Sequence, residues 1–214
     1  MLRFQWKILF SSWPKTAIAL GSALCIPFLF RGDTVFRALY QMDLYLTIPA
    51  AVLMAELFHL EYAHRTAEIL YCTRRRKSVL FLQRFVTAYV LLLAVSVLVF
   101  LEYSLLYEGI RWDENRNAGY ILQGFAGIAG TLFFFGALSV TVTDLTKNYF
   151  MGIGAALALF LLFYYLPAFR NTPLISLFTL HQTTGWPLCK LFYTALGLLL
   201  LWINDLCIQK SPVK

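Results

Sequence analysis

The sequence predicts an all-α, polytopic membrane protein that forms one transmembrane domain over residues 1–214. The first observation behind this prediction is composition: 60% of the residues are hydrophobic and only 14% are charged, whereas a soluble domain is about 25% charged. The second is a mean hydropathy of +0.68. The third is a series of apolar runs, which at about 1.5 Å per residue cross much or all of a hydrocarbon core about 30 Å thick.

Six apolar segments fit transmembrane helices, at residues 16–30, 39–60, 79–101, 121–142, 149–166 and 188–204. The first is short, and Pro27 is expected to kink it. Ahead of it, "LRFQWKILFSSW" mixes aromatic and basic residues as an amphipathic helix in the membrane interface does. No small-x-small cleavage site follows this basic and apolar N-terminus, so we expect the first segment to remain as a span rather than to be removed as a signal peptide.

The basic residues predict the orientation of the chain in the membrane. A net charge of +7 in a soluble protein would suggest nucleic acid or an anionic surface as a partner, but in a membrane protein an excess of Lys and Arg indicates topology. We therefore expect no nucleic-acid partner. If both termini are cytoplasmic, the cytoplasmic segments hold twelve of the 18 basic residues: Arg3, Lys7, Lys15, Arg65, Arg74, Arg75, Arg76, Lys77, Arg84, Lys147, Lys210 and Lys214.

Other segments have compositions that predict local structure. The link "PAFRNTPLISLFTLHQTTGWPLCK" before the last span is too long for a simple turn and too apolar for a solvated loop, which predicts short helices that dip into the outer leaflet. The stretch "GFAGIAG", residues 124–130, carries small residues that permit close approach between helices, with a substrate-lining surface as the alternative. Asp144 and Lys147 are expected to lie in a short, solvated turn.

Motifs for catalysis or metal binding are weak. Glu56 with His59 and Glu61 with His64 form two ExxH units, a spacing that can offer a carboxylate and an imidazole to iron, but the two pairs point to different sides of a helix. The four cysteines form no CxxC pair and no cluster with histidine. No GxxxxGK[ST] loop is present. The serines and threonines show no histidine or lysine partner within the membrane, so we predict no catalytic residue, metal site or cofactor in this chain.

Charge is concentrated between the second and third predicted spans. On a helix, Glu61, Arg65 and Glu68 fall at positions i, i+4 and i+7 and form one ridge of alternating charge. Apolar and aromatic residues on the other sides make this helix amphipathic, so it could seat in a groove of a cytoplasmic protein. A solvated loop that follows the positive-inside rule accounts equally well for the basic run from Arg74 to Lys77, but it does not account for the glutamates.

This segment resembles the link between the second and third spans of ABC exporter permeases of the type-2 class. The resemblance lies in the order of Glu61, Arg65, Thr66, Glu68 and Leu70, followed by the basic cluster and by a long apolar helix with Arg84 near its start. It extends to the amphipathic N-terminal helix, the six spans and the short helices before the last span. In that family the segment is a cytoplasmic coupling helix that docks on the ATPase subunit. The resemblance implies a coupling interface made of Glu61, Arg65, Thr66, Glu68, Ile69, Leu70, Arg74, Arg75, Arg76 and Lys77.

Membership of that class would imply a set of partners and a function. The partners are two ATPase chains that bind ATP and Mg²⁺, and a second permease chain of the same or a different sequence. The expected location is a bacterial cell membrane with both termini cytoplasmic, and the expected function is export of a hydrophobic or amphipathic substrate such as a peptide, a lipid or a drug.

Two other functional classes stay open on the sequence. A stand-alone six-span channel or secondary carrier requires ion or proton sites at mid-membrane, and apart from Glu56 no acidic residue is expected deep in a span. A membrane-embedded metalloenzyme built on the ExxH units is the third class.

Overall fold

A computed structural model of the chain describes residues 13–30, 34–63, 77–107, 118–166, 177–178 and 186–210. These residues form eight helices and no β-strand, which agrees with the all-α prediction. The helices are α1 (Trp13–Leu24), α2 (Ile26–Leu29), α3 (Val35–Tyr45), α4 (Thr47–Ala63), α5 (Lys77–Leu106), α6 (Ala118–Thr146), α7 (Tyr149–Tyr165) and α8 (Trp186–Lys210).

Each of the six predicted spans overlaps one or two of these helices. In the described part of the chain, four segments are long and apolar enough to cross a membrane: Val35–Glu56, Phe81–Leu106, Gly119–Thr146 and Trp186–Cys207. Helix α7 is apolar but has only 17 residues. The first predicted span is divided at Cys25 into helices of 12 and 4 residues, beside Pro27. The fold therefore indicates a membrane protein with four helices of spanning length.

Helix α6 lies at the centre of the bundle, where it packs against α3, α4, α7 and α8. Its glycines allow this close packing. A Cβ atom on Gly124 would lie 2.6 Å from the Leu39 side chain of α3, and a Cβ on Gly130 would lie 3.1 Å from the Thr194 hydroxyl of α8. The prediction that the "GFAGIAG" stretch permits close helix approach is confirmed at these two positions.

The peripheral helices direct their apolar side chains outward. On α5, Val86, Val90, Val97 and Leu101 are exposed at intervals that form one face of the helix, and α8 exposes Leu191, Phe192, Leu198 and Trp202. In the most apolar part of each helix, only 33% of the residues of α5 and 28% of those of α8 are buried, against 67% of those of α6. Such faces suit contact with lipid, whereas the central helix is enclosed by protein on most sides.

The connection between α6 and α7 is a tight turn. Lys147 adopts a left-handed backbone conformation with φ of 53°, and the Asn148 side chain caps α7 by accepting a hydrogen bond of 3.0 Å from the Phe150 N–H. Just beyond the cap, the two helices touch at Gly152, where a Cβ atom would lie 2.6 Å from the Ser139 carbonyl oxygen. The turn and this glycine together fix α7 as an antiparallel neighbour of α6.

Several predictions concern residues that the structure describes only in part. The N-terminal interfacial helix, residues 1–12, lies outside the described residues, as do residues 64–76 of the predicted coupling segment. In the link before the last span, Leu177 and Phe178 form part of a turn and are buried, with the Phe178 ring 5.5 Å from that of Phe160. These two apolar residues therefore pack on the bundle rather than lie in water, and the short helices predicted for the rest of the link lie outside the described residues.

Candidate functional site

Three helices meet at a buried cluster of Asp43 on α3, Thr131 on α6 and Lys190 on α8, which we call the central site. The Lys190 ammonium lies 2.7 Å from Oδ2 of Asp43. The Thr131 hydroxyl donates to Oδ1 of Asp43 at 2.6 Å, and the Lys190 ammonium also donates to the Thr131 hydroxyl oxygen. The three side chains thus form a closed ring of hydrogen bonds around one ion pair.

The three side chains of the central site are almost completely buried, which decides the energetics of the ion pair. The exposed fractions of Asp43, Thr131 and Lys190 are 1%, 0% and 6%. Removing each charge from water costs several kcal/mol, and the mutual attraction offsets that cost only when further hydrogen bonds satisfy the remaining oxygens and protons. Thr131 provides those further bonds, since its hydroxyl group serves one oxygen of Asp43 and one N–H of Lys190.

The local sequence places each member of the central site. Helix α3 begins after Thr34, whose hydroxyl accepts a hydrogen bond of 3.2 Å from the Arg37 N–H. Its buried face then carries Val35, Leu39 and Met42 with Asp43 beside them. On the other side, Gly130 faces the turn of α8 that carries Lys190, where a Cβ atom would lie 3.1 Å from the Thr194 hydroxyl and in ordinary contact, at 3.6 Å, with the Lys190 carbonyl oxygen. Apolar packing of α3 and α8 on α6 therefore brings the two charges together.

The central site lies about halfway along α6, the helix at the centre of the bundle. Thr131 is near the middle of α6, which has 29 residues, so it is about 20 Å from either end at about 1.5 Å per residue. Intramembrane ionisable residues are costly, usually paired, and are common at functional sites. The central site is therefore the main candidate functional site among the described residues.

Two sequence-based expectations fail at this site. The expectation that Glu56 is the only acidic residue deep in a span is wrong, because Asp43 is buried within α3. Lys190, which is not among the twelve basic residues assigned to the cytoplasmic segments, is buried within α8. The signal that reveals the pair is the presence of one acidic and one basic residue in two separate apolar segments, which is stable only if the two side chains meet.

The expectation that no threonine has a lysine partner is also wrong. Thr131 and Lys190 are hydrogen-bonded to each other. A threonine and a lysine can serve as the nucleophile and the base of a catalytic pair. However, an ammonium group that donates to a carboxylate has no free lone pair with which to accept the hydroxyl proton. Thr131 is also 0% exposed, so this arrangement suits an ion pair better than a nucleophile.

A second polar layer lies at the end of the bundle where α4 ends and α5 begins, which we call the link end. There the Asn204 amide of α8 donates to Oδ2 of Asp144 on α6 at 2.7 Å. Asp144 is only 9% exposed and Asn204 is fully buried. The expected solvated turn therefore holds for Lys147, which is exposed, but not for Asp144, whose side chain turns toward α8. Glu56 of α4 lies nearby, since it acts electrostatically on Tyr149 at the start of α7.

The predicted coupling residues flank this end of the bundle. Glu61 lies in the last turn of α4, and Lys77 is the first residue of α5. The structure describes the helix backbone at these two positions, while the eight other predicted interface residues lie outside the described residues: Arg65, Thr66, Glu68, Ile69, Leu70, Arg74, Arg75 and Arg76. The ridge of alternating charge thus stays a prediction.

The two residues that lead into and out of this segment are buried. Glu56 lies seven residues before the end of α4, and Arg84 lies seven residues after the start of α5. Their exposed fractions are 2% and 3%. A buried charge resists displacement because moving it means exchanging its partners. The helices on both sides of the charged segment are therefore anchored in the bundle by charged side chains.

A metal site in the described residues would require a group of ligand side chains that lie close together. No group of three or more His, Cys, Asp or Glu side chains is arranged to hold a metal ion there. Of the two ExxH units, only the side chain of Glu56 lies within the described part of the chain, and His181 lies outside it.

Comparison of the chain with protein-family models, with curated proteins and with solved structures found no match.

Proposed function

We propose that this chain is the six-span membrane subunit of an ABC transporter of the type-2 exporter class. ATP hydrolysis takes place on two partner ATPase chains, which hold ATP and Mg²⁺, and a second permease chain completes the transporter. Both termini are cytoplasmic, and the link end faces the cytosol of a bacterial cell. The observation that carries the proposal is the pair of buried charges, Glu56 and Arg84, on either side of the charged link.

A coupling segment works only if its movement reaches the transmembrane helices. Glu56 and Arg84 are 2% and 3% exposed and lie about two turns inside their helices, so a force on residues 64–76 that travels along either helix beyond those turns must displace a buried polar side chain. Closure of the ATPase dimer would therefore move α4 and α5 as rigid bodies. Rigid-body movement of packed helices is a common way to turn local binding energy into a large change of shape.

The substrate class is hydrophobic or amphipathic, such as a peptide, a lipid or a drug. The described helices expose aliphatic and aromatic side chains. Such surfaces bind apolar substrates by burial rather than by hydrogen bonding. The direction of transport, export, rests on the resemblance of the link.

Charge reversal in the link tests the proposal. If the Glu61, Arg65 and Glu68 ridge seats in an ATPase groove, Glu61→Lys or Glu68→Lys replaces attraction with repulsion at a partly desolvated contact and costs about 2–5 kcal/mol. Both variants should insert normally but lose co-purification of the ATPase or transport-linked ATP hydrolysis. Glu114→Lys in the predicted outer loop is the matched control, with an expected cost of about 0–1 kcal/mol. Full assembly and hydrolysis in both link variants would refute the coupling role.

A stand-alone channel or secondary carrier is the second candidate, and the central site is the observation that favours it. Asp43 and Lys190 are buried beside Thr131, near the middle of α6, and a carrier would place an ion or proton site at mid-membrane. The purified chain alone, reconstituted into lipid vesicles, separates the two candidates. A carrier or channel would dissipate an imposed proton or potassium gradient and would lose this activity in Asp43→Asn, whereas the ABC subunit alone should leave the gradient intact.

A further inference from the structure

We propose that the central site is a latch between α3 and α8, and that α3 swings away from α8 about the Pro49-weakened junction of α3 and α4 when the latch opens. This movement does not depend on which transporter class the chain belongs to. Three features support it: the way α3 and α8 are joined, the backbone hydrogen bond missing at Pro49, and the cost of separating two buried charges.

Helices α3 and α8 are held together mainly by side chains. Each packs on α6, but their backbones scarcely touch one another. The bond of 2.7 Å between Asp43 and Lys190 bridges them. On its other side, α3 is tied to α5 by the Tyr103 hydroxyl group, which donates to Oε1 of Gln41 at 2.9 Å. Opening the ion pair would therefore release α3 from α8 while leaving it attached to α5.

The junction between α3 and α4 lies three residues from Asp43. The backbone stays helical through Leu46, whose N–H donates to the Met42 carbonyl at 3.1 Å and whose carbonyl accepts from the Ala50 N–H at 3.1 Å. Pro49 in the first turn of α4 has no N–H to donate, so the Tyr45 carbonyl has no helical N–H four residues ahead of it. The Thr47 hydroxyl donates to the neighbouring Leu44 carbonyl at 2.6 Å. Helices bend at such prolines, so α3 can change its angle to α4 with little further loss of hydrogen bonding.

The energetics make the latch a two-state element. Two unit charges at the distance seen here attract strongly in a low dielectric, and moving them apart without solvent leaves both uncompensated. Separation is therefore feasible only together with entry of water. An intermediate with separated but dry charges is the least stable arrangement, so the site should be either closed and dry or open and wet.

The accessibility of the native residue Cys189 to a thiol reagent indicates whether the latch is open. It precedes Lys190, and its exposed fraction is 1%. In a chain whose other cysteines are replaced by Cys25→Ser, Cys72→Ser and Cys207→Ser, the rate of reaction of Cys189 with N-ethylmaleimide in membranes measures access to this point. Each rate is divided by that of the same variant in dodecyl sulfate, which removes differences in thiol reactivity.

Removal of one charge should open the latch. Asp43→Asn leaves the Lys190 ammonium buried without a carboxylate, and we expect the Cys189 rate to rise about ten-fold or more, as for local opening of a protected site. Asp43→Asn combined with Lys190→Met removes both charges and should return the rate to within about two-fold of the parent, because no unpaired charge draws in water. Thr141→Val removes another hydroxyl group of α6 that faces α8, which donates to the Ala137 carbonyl at 2.7 Å and lies 3.3 Å from the Leu200 carbonyl, and it should leave the rate unchanged.

Two outcomes would overturn the proposal. An unchanged Cys189 rate in folded Asp43→Asn would show that the charge pair does not control access. An equal rise in the double variant or in Thr141→Val would show general loosening of the bundle rather than a latch.

If Asp43→Asn does not fold, Pro49→Ala tests the hinge with the latch intact. Restoring the N–H stiffens the junction, so the Cys189 rate should fall at least about two-fold as opening becomes rarer, and an unchanged or faster rate would contradict the swing of α3.

Discussion

At the scale of single residues, the central site shows how an apolar chain tolerates charge. Asp43 and Lys190 lie on different helices, 147 positions apart in the sequence. Each alone would be a costly charge in an apolar environment. Together with Thr131 they form a neutral unit with mutually satisfied hydrogen bonds. Loss of one charged partner from such a unit typically costs about 3–5 kcal/mol.

The hydroxyl group of Thr131 should contribute measurably to stability. Thr131→Val keeps the shape of the side chain but leaves one oxygen of Asp43 and one N–H of Lys190 without this partner, so we expect a loss of about 1–3 kcal/mol in the free energy of unfolding. Thr131→Ser keeps the hydroxyl group and should cost less than Thr131→Val. Denaturation of the purified protein in detergent, followed by circular dichroism, measures both. Equal losses in the two variants would mean that the methyl group, and not the hydroxyl group, matters at this position.

Two glycines of α7, Gly152 and Gly154, should respond differently to replacement by alanine. A Cβ atom on Gly152 would lie 2.6 Å from the Ser139 carbonyl oxygen, while a Cβ on Gly154 would meet nothing within 4 Å. Gly152→Ala should therefore push α6 and α7 apart and destabilise the protein by about 1–3 kcal/mol. Gly154→Ala is the matched control and should be neutral or stabilising by up to about 1 kcal/mol, because alanine favours the helix. The same denaturation assay compares them, and equal stability of the two variants would show that α6 and α7 do not approach closely at Gly152.

At the scale of helices, apolar runs predicted most of the fold. Burial in lipid or in a protein core demands long uninterrupted apolar segments; each predicted segment overlaps helix, and four helical segments are of spanning length in the described part of the chain. The junction of α3 and α4 at Leu46 is not evident from the sequence, because neither Leu46 nor Thr47 is a strong helix breaker and the backbone stays helical through Leu46. The break near Pro27 was predicted because that proline interrupts an already short run.

The partners of buried polar side chains were harder to predict than the helices. Asp144 follows an apolar run and precedes a turn, which in sequence looks the same whether its carboxylate faces water or Asn204. Only the parallel packing of α6 and α8 decides between these environments. Asp43 and Lys190 could have been paired from sequence by their opposite charges, but Thr131 could not, because threonine is common on apolar helices.

At the scale of the whole molecule, the distribution of basic residues predicts six spans with both termini cytoplasmic. The loop that contains Glu114 should then be external. In a chain with a single engineered cysteine at that position, a membrane-impermeant thiol reagent should label intact cells. Labelling that requires permeabilised cells would reverse the topology.

Three groups of polar residues follow one another along the bundle. The charged link lies at one end, the layer of Glu56, Asp144 and Asn204 anchors the helices beside it, and the central site closes the middle of the bundle. Force applied at the link would reach the central site through α4, whose continuation, α3, carries Asp43. If the proposed coupling role holds, this path would account for the concentration of charge at these levels in a chain with only 14% charged residues.

The central claim, that this chain is driven by separate ATPase chains, is tested most directly by the composition of the complex it forms in its own membrane. The tagged chain, extracted in mild detergent and measured by native mass spectrometry, should carry two copies of a chain that contains a GxxxxGK[ST] loop, and it should lose them in Glu68→Lys but not in Glu114→Lys. A chain recovered without any nucleotide-binding partner, and with the same mass in both variants, would contradict the account.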